Sequence, residues 1–221
     1  MENFLVEHKW LFYAVLFVIG LVIGRLVKKI IQMTIDEENV RLKAPLVVEI
    51  FNALLYCFAV WKFGVSLYAL CTMLTISLLL MVAFIDFKTM LIPNWSVYAI
   101  MVLGIAAIFL NHDISWWEKI IGFFAGGVIL LLIYILSGGG IGVGDIKLMA
   151  AAGFFMGWKL TLWSLLVGSI IGGIIGVIIL LTGKGKLKTA IPFGPFLVIG
   201  ILSSILFGDM MIEWYWHFII R

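Results

Sequence analysis

Charge is what this sequence has least of. Asp, Glu, Lys and Arg together make up 12% of the 221 residues, whereas 64% are hydrophobic. A soluble domain carries about a quarter charged residues and is about half apolar. The composition therefore excludes a soluble globular protein and predicts a polytopic membrane protein with little mass outside the bilayer. A net charge of +3 gives no reason to expect nucleic-acid binding.

Cysteine and histidine are also scarce. Cys57 and Cys71 each lie inside an apolar run and form no CxxC pair, so we expect two buried thiols that behave as small hydrophobic side chains. His8, His112 and His217 have no metal-ligand spacing. The sequence therefore predicts no metal site.

Long apolar runs, in contrast, fill the chain. A helix that crosses a bilayer needs about 20 mostly apolar residues. The first run, from Trp10, is too long for a removable signal peptide and is treated as a span. A short apolar segment at 145–157 predicts a helix that enters from one side and crosses with help from its neighbours. The prediction is an all-α protein of about eight helices, the other seven at 10–31, 46–63, 65–85, 95–111, 119–136, 159–182 and 191–208.

The basic residues predict an orientation, because cytoplasmic loops are enriched in Lys and Arg. With the N-terminus outside, ten of the 15 Lys and Arg residues fall on the cytoplasmic side. The outer side then holds the remaining five, Lys9, Lys62, Lys119, Lys159 and Arg221.

Three acids lie inside the spans or at their cytoplasmic boundary. Glu49 is early in the second span, Asp86 ends the third in "MVAFIDFKTMLIPNW", and Asp145 begins the short helix in "GIGVGDIKLMA". Ionisable residues in spans are costly and usually face the protein interior or a water-filled cavity. Taken alone, Asp86 could be an interface residue paired with Lys88, and Asp145 could be a helix N-cap. Both, however, fall at the same membrane depth, on the cytoplasmic side.

A backbone feature accompanies each aspartate. Pro93 and Asn94 in "LIPNW" break the chain after Asp86 and begin the next helix. Five glycines in seven residues precede Asp145, and they permit positive φ and the close approach of another backbone; they are Gly138, Gly139, Gly140, Gly142 and Gly144. We expect this run to leave room for an extended peptide.

Two adjacent carboxylates suggest acid–base chemistry. Two such groups held close together do not readily both ionise, so they share a proton, and one can act as a base while the other acts as an acid. The pair could activate a water to attack a peptide carbonyl without a metal. Asp86 and Asp145 are therefore the candidate catalytic residues.

These segments resemble the type IV prepilin peptidases. "AFIDFKTMLIPN" is similar to the first catalytic motif of that family, "GVGDIKLMAAAGFFMGW" to the second, and "IPFGPFLVIG" to a Pro-Phe-Gly-Pro stretch near the C-terminus. "KAPLVVEIFNALLYCFAVWKFG" resembles the segment that follows the cytoplasmic loop in longer members. The similarity covers residues 44–208 and, more weakly, the first span.

The resemblance implies a membrane aspartic protease of the Gly-x-Gly-Asp type in the plasma membrane. Such enzymes remove the leader of type IV prepilins and pseudopilins at the cytoplasmic face, and Asp86 and Asp145 match their two catalytic aspartates. It implies three regions: residues 1–64, two helices with a shortened cytoplasmic loop; 65–208, the peptidase membrane domain; and 209–221, a short outer tail.

The chain departs from the long family members between its first two spans. Those members carry an insert with two CxxC pairs spaced like a zinc site, whereas here the connection is "QMTIDEENVRLKAP". Many long members also methylate the cleaved product with S-adenosylmethionine. The missing insert counts against that second activity, so S-adenosylmethionine is expected as a cofactor only if methylation is retained, and proteolysis needs none.

The sequence allows more than one role for some of the remaining residues. Lys147 is either an interfacial lysine or a charge that tunes the aspartates or orients substrate, and Asn94 is expected to cap the fourth helix. Glu49 either pairs with Arg41 or Lys43 or meets the basic leader of the substrate. Gly142, Gly144 and Pro93 are expected to support the catalytic loops.

The glycine-rich span "VGSIIGGIIGV" has small-residue spacing, which lets membrane helices approach closely. Its glycines, at 168–176, either pack inside the protein or form a homodimer face.

Two other functions fit the same acids. A proton-coupled transporter or channel would need acids near the bilayer midplane and a path to both faces, whereas these acids are near one face. A Gly-x-Gly-Asp intramembrane protease with other substrates would not share Ile-Pro-Asn or Pro-Phe-Gly-Pro in this setting.

Overall fold

The computed structural model describes residues 9–36, 46–111, 113–182 and 191–219, and every regular element in these ranges is an α-helix. The predicted segments map one to one onto these helices, including the short one before residue 157. The last helix continues well beyond residue 208, where the predicted span ended. In chain order the helices are α1 Lys9–Asp36, α2 Val47–Phe63, α3 Leu67–Thr89, α4 Asn94–Leu110, α5 Trp116–Leu136, α6 Val143–Met156, α7 Trp158–Leu181 and α8 Gly194–Ile219.

The helices have the length and surface of a membrane protein. Within the described residues, α1, α3, α5, α7 and α8 are long and apolar enough to cross a bilayer. Helix α4 has 17 residues and α6 has 14. Large apolar side chains cover the outside, for example Phe109 at 72% exposure and Leu136 at 86%. Such a surface is typical of a multi-pass membrane protein whose solvent is lipid.

Residues 1–81 form the first of two compact units. Helices α1 and α2 pack closely because glycines line their contact: a Cβ at Gly24 would lie 2.6 Å from the Cα of Glu49. Buried polar groups join these two helices to each other and to α3. Asn52 donates from Nδ2 to the Gly20 carbonyl at 3.0 Å and accepts from Ser77 Oγ at 2.8 Å. Cys71 is buried, as predicted, whereas Cys57 is only partly buried; both are free thiols.

Residues 82–221 form the second unit, in which the short helix α6 is central. It packs against α4, α5, α7 and α8. Helix α6 is tightly held by α5, where the backbones nearly touch: a Cβ at Gly153 would lie 2.8 Å from the carbonyl carbon of Gly122, and one at Gly126 would lie 2.8 Å from that of Met149. The Gly122–Gly126 spacing is a membrane packing motif that the sequence analysis missed.

The glycines of α7 divide into two groups. Gly168 and Gly172 face α8, where added Cβ atoms would lie 2.9 Å from the Phe196 carbonyl oxygen and 3.1 Å from the Phe196 ring. Gly173 and Gly176 have no atom of the described structure within 4 Å of such a Cβ. Internal packing therefore explains the first pair, and the homodimer remains a prediction that involves the second pair.

Candidate active site

Asp86 lies in the last turn of α3 and is 5% exposed. Its Oδ2 accepts a hydrogen bond of 3.0 Å from the backbone N–H of Gly194, the first residue of α8. The free N–H groups and the positive end of the helix dipole favour a carboxylate at this place. The alternative pairing with Lys88 is not what the structure shows, because the Lys88 ammonium lies over the Phe87 ring at 5.7 Å.

Gly194 contacts a candidate catalytic carboxylate, and the sequence reasoning did not predict this contact. A Cβ there would lie 2.6 Å from Oδ2 of Asp86 and 2.9 Å from its Cγ, so no other residue fits without moving the carboxylate. The clue in the sequence was a glycine enclosed by prolines in "IPFGPF". That pattern is consistent with an ordinary helix start, and it does not name the aspartate that the helix faces.

Asp145 is the third residue of α6, and the N-cap is Gly142. The N-cap reading of Asp145 is therefore wrong. Its Oδ2 instead reaches back and accepts a hydrogen bond of 3.2 Å from the Gly142 N–H, as an acid at this position does in a capping box. The side chain is 5% exposed. Its other oxygen, Oδ1, is buried and finds no hydrogen-bond partner among the described residues.

The glycine run before Asp145 has several separate roles. Gly138 and Gly139 have φ of 64° and 91°, and their N–H groups donate to the carbonyls of Ile135 at 3.2 Å and Tyr134 at 2.9 Å. This is the Schellman arrangement that ends helices, here α5. These two glycines therefore end a helix, and the expectation that the whole run makes room for a peptide does not explain them.

The segments after Asp86 and around Asp145 lie against each other. A Cβ at Gly144 would be 3.0 Å from that of Ile92, so the glycine permits this contact. Pro93 is the N-cap residue of α4 and has no side chain that could cap the helix. Asn94 was expected to be the cap, which is wrong: its Oδ1 accepts a hydrogen bond of 3.0 Å from the Lys147 ammonium.

Asp86 and Asp145, 59 positions apart in sequence, are brought together by these contacts. Their carboxylates lie within range of direct charge–charge repulsion. One oxygen of each is held by a backbone N–H, from Gly194 and Gly142 respectively. Two buried carboxyl groups that interact through their charges can take the separate roles of an acid and a base.

A groove of about 500 Å³ lies between α4, α5 and α6, and neither aspartate is among its lining residues. Its polar rim is the bonded pair Asn94 and Lys147. The rest of the lining is apolar or small, and consists of Val97, Tyr98, Met101, Phe123, Phe124, Gly127, Val128, Leu131, Ile146, Ala150 and Ala151.

Glu49 belongs to the first unit. Its Oε1 lies 3.0 Å from the Lys28 ammonium, and the residue is 3% exposed. The other oxygen, Oε2, is buried without a hydrogen-bond partner among the described residues. The expected partners Arg41 and Lys43 lie outside those residues. In the structure Glu49 pairs with Lys28 of α1.

Comparison with known proteins decides the family. The profile of the type IV leader peptidase family matches residues 73–177, which include both aspartates. A prepilin leader peptidase/N-methyltransferase of Bacillus subtilis is 34% identical over 167 residues, which cover 76% of this chain and 67% of that protein. The chain belongs to the type IV leader peptidase family. The resemblance seen in the sequence is thereby confirmed.

Two further family members of the same name are longer than this chain. The protein of Legionella pneumophila is 35% identical over 174 residues, and that of Pseudomonas aeruginosa is 32% identical over 176 residues. The matches cover 76% and 77% of this chain and 60% and 61% of those relatives. The chain thus spans about three fifths of their length. No solved structure matches the chain.

Proposed function

We propose that this chain is an aspartic endopeptidase that removes the leader peptide of type IV prepilins or pseudopilins, with Asp86 and Asp145 as the catalytic pair. The observation that carries the proposal is the proximity of two buried carboxylates that interact through their charges, each with one oxygen held by a backbone N–H. The names of the relatives supply the substrate class.

The chemistry follows from one shared proton. The ionised aspartate takes a proton from a water as the water oxygen attacks the carbonyl carbon of the scissile amide. The protonated aspartate donates a hydrogen bond to the carbonyl oxygen, where negative charge develops. The proton taken from water then passes to the amide nitrogen, the C–N bond breaks, and a new carboxyl group and a new amine leave.

The backbone donors keep both carboxylates in place for this cycle. Gly194 and Gly142 each fix one oxygen, so the reactive oxygens need little reorientation at the moment of reaction. On Asp145 the buried Oδ1 is the oxygen left for water or substrate.

The position of the pair favours a peptidase over a proton pathway. Asp86 is in the last turn of α3, Asp145 in the first turn of α6, and Gly194 begins α8. A transporter would need titratable groups that connect both membrane faces. The Lys and Arg distribution supports an orientation in which the aspartate end of these helices faces the cytoplasm.

Purified protein in detergent, a purified prepilin and mass spectrometry of the products test the proposal. We expect Asp86→Asn and Asp145→Asn each to abolish cleavage while helicity and gel-filtration behaviour stay unchanged. Asp113→Asn, a change in an exposed loop acid, is the matched control and should cleave like the wild type. Full cleavage by either catalytic variant would refute the pair.

The same assay addresses methylation. The product is analysed with and without S-adenosylmethionine, and we expect no added methyl group. A product heavier by one methyl group would mean that this activity survives without the cysteine-rich insert.

A further inference from the structure

Lys119 is fully buried, at 0% exposure, in the first turn of α5. The sequence analysis had grouped it with the charges of the outer side. A lysine that could reach water would extend its ammonium outward, whereas this one points inward and donates a hydrogen bond of 3.0 Å to the carbonyl oxygen of Phe155. A buried charge is costly, so its persistence calls for a reason.

The acceptor lies in the last turn of α6, which ends at Met156. The last four carbonyls of a helix lack partners within the helix, and the negative end of the helix dipole lies there. An ammonium at this place satisfies one such carbonyl and complements the dipole. Lys119 is therefore a cap on α6 supplied by a different helix.

Lys119 lies on the face of α5 that packs against α6. The buried positions of α5 are Lys119, Gly122, Gly126 and Leu130, which repeat at three or four residues and so form one helix face. Gly122 and Gly126 bring the two backbones together. Close packing sets the separation of the two helices, and the directional bond from Lys119 adds a contact at a defined point along the axis of α6.

Asp145 stands at the opposite end of the same short helix. Ten residues separate it from Phe155, a distance of about 15 Å at the rise of an α-helix. A rigid helix of this length transmits an axial displacement from one end to the other. We propose that Lys119 is a positioning residue: through the Phe155 carbonyl it sets the axial register of α6, and with it the place of the Asp145 carboxylate beside Asp86.

The functional part of this inference rests on the proposed peptidase activity.

Lys119→Met removes the hydrogen bond to the Phe155 carbonyl with little change in side-chain volume, and Lys119→Gln keeps a neutral hydrogen-bond donor. Lys159→Met is the matched control, because Lys159 pairs at 3.2 Å with the neighbouring Glu118 but its side chain is 55% exposed. We expect Lys119→Met to lower kcat for prepilin cleavage by about ten- to hundred-fold, since small misplacements of reacting groups have effects of this order.

KM should stay unchanged for Lys119→Met, Lys119→Gln should retain more of the activity, and the control should match the wild type. A purely structural role would instead reduce the amount of folded protein and leave the kcat of the folded fraction intact. That result, or a loss of fold in both Lys119 variants, would overturn the proposal.

A distance measurement tests the positioning without substrate. Cys57 and Cys71 are first replaced by alanine. Spin labels are then attached at Phe87→Cys and Val143→Cys, two exposed sites close to the aspartates in sequence. We expect Lys119→Met, but not Lys159→Met, to shift the mean distance by about 1.5 Å or more, the rise of one helical residue.

The two measurements separate the inference from the function on which it builds. If the wild type failed to cleave prepilin but Lys119→Met shifted the distance, the proposed peptidase function would be refuted and the positioning role of Lys119 would be supported. If the wild type cleaved prepilin and Lys119→Met changed neither kcat nor the distance, only the positioning role of Lys119 would be refuted.

Discussion

Gly194 donates its backbone N–H to the carboxylate of Asp86, a residue 108 positions earlier in the chain. The missing side chain matters as much as the bond, because a Cβ on Gly194 would lie 2.6 Å from the oxygen that accepts it. The Pro-Phe-Gly-Pro stretch is thus part of the candidate active site.

Gly194→Ala should therefore impair cleavage in a protein that still folds. The new methyl group must displace Asp86, and we expect a loss of kcat of about a hundred-fold with a stability cost of about 1–3 kcal/mol from overpacking. Gly173→Ala, at an open position of α7, is the control and should keep full activity. Cleavage kinetics and thermal unfolding in detergent provide both readings, and normal kcat in Gly194→Ala would contradict the geometry.

The hydrogen bond between Lys147 and Asn94 joins the two motif segments, and a double-mutant cycle measures it. We expect Lys147→Met and Asn94→Ala to be non-additive in unfolding free energy, with a coupling of about 0.5–1.5 kcal/mol. Additive effects would mean that the bond contributes nothing to stability. If Lys147 also orients substrate, Lys147→Met will raise KM for prepilin and Asn94→Ala will not.

The close crossing of α5 and α6 should be intolerant of any side chain. Gly122→Ala and Gly126→Ala place a Cβ against the backbone carbonyls of α6, which cannot rotate away. Each should destabilise the protein by about 1–3 kcal/mol. Gly176→Ala, with no described atom within 4 Å, should be neutral or slightly stabilising because alanine favours helix. Thermal unfolding of the three variants in one detergent decides the matter, and equal melting temperatures would show that the helices are not packed as described.

The Lys28–Glu49 pair predicts an asymmetry between its two partners. Lys28→Met leaves a buried carboxylate without this cation, and we expect a cost of about 1–3 kcal/mol. Glu49→Gln leaves the partly exposed Lys28 able to reach water, so it should cost less, and the double variant should recover part of the loss. Thermal unfolding of the two single variants and the double variant tests this order of stabilities. A raised KM for prepilin in Glu49→Gln, with stability unchanged, would favour the leader-binding role of Glu49 over the structural one.

Much of the candidate site could be predicted from local sequence. Asp86 and Asp145 stood out because acids are rare in apolar runs, and the helix breaks beside them were evident from Pro93 and the glycine run. The details of capping were less predictable. Asn94 and Asp145 are both residue types that cap helices, yet Pro93 and Gly142 occupy the cap positions. Asn94 instead accepts a hydrogen bond from Lys147, and Asp145 accepts one from the Gly142 N–H.

The sequence alone determined the all-helical membrane architecture, since a bilayer requires long apolar segments whose backbone groups bond within the helix, and such segments are visible as composition. Only the tertiary structure decided which groups meet. Gly194 with Asp86, Lys147 with Asn94 and Lys119 with the end of α6 are contacts between distant parts of the chain. They depend on how the helices pack in three dimensions, and no periodicity or spacing within one segment records that.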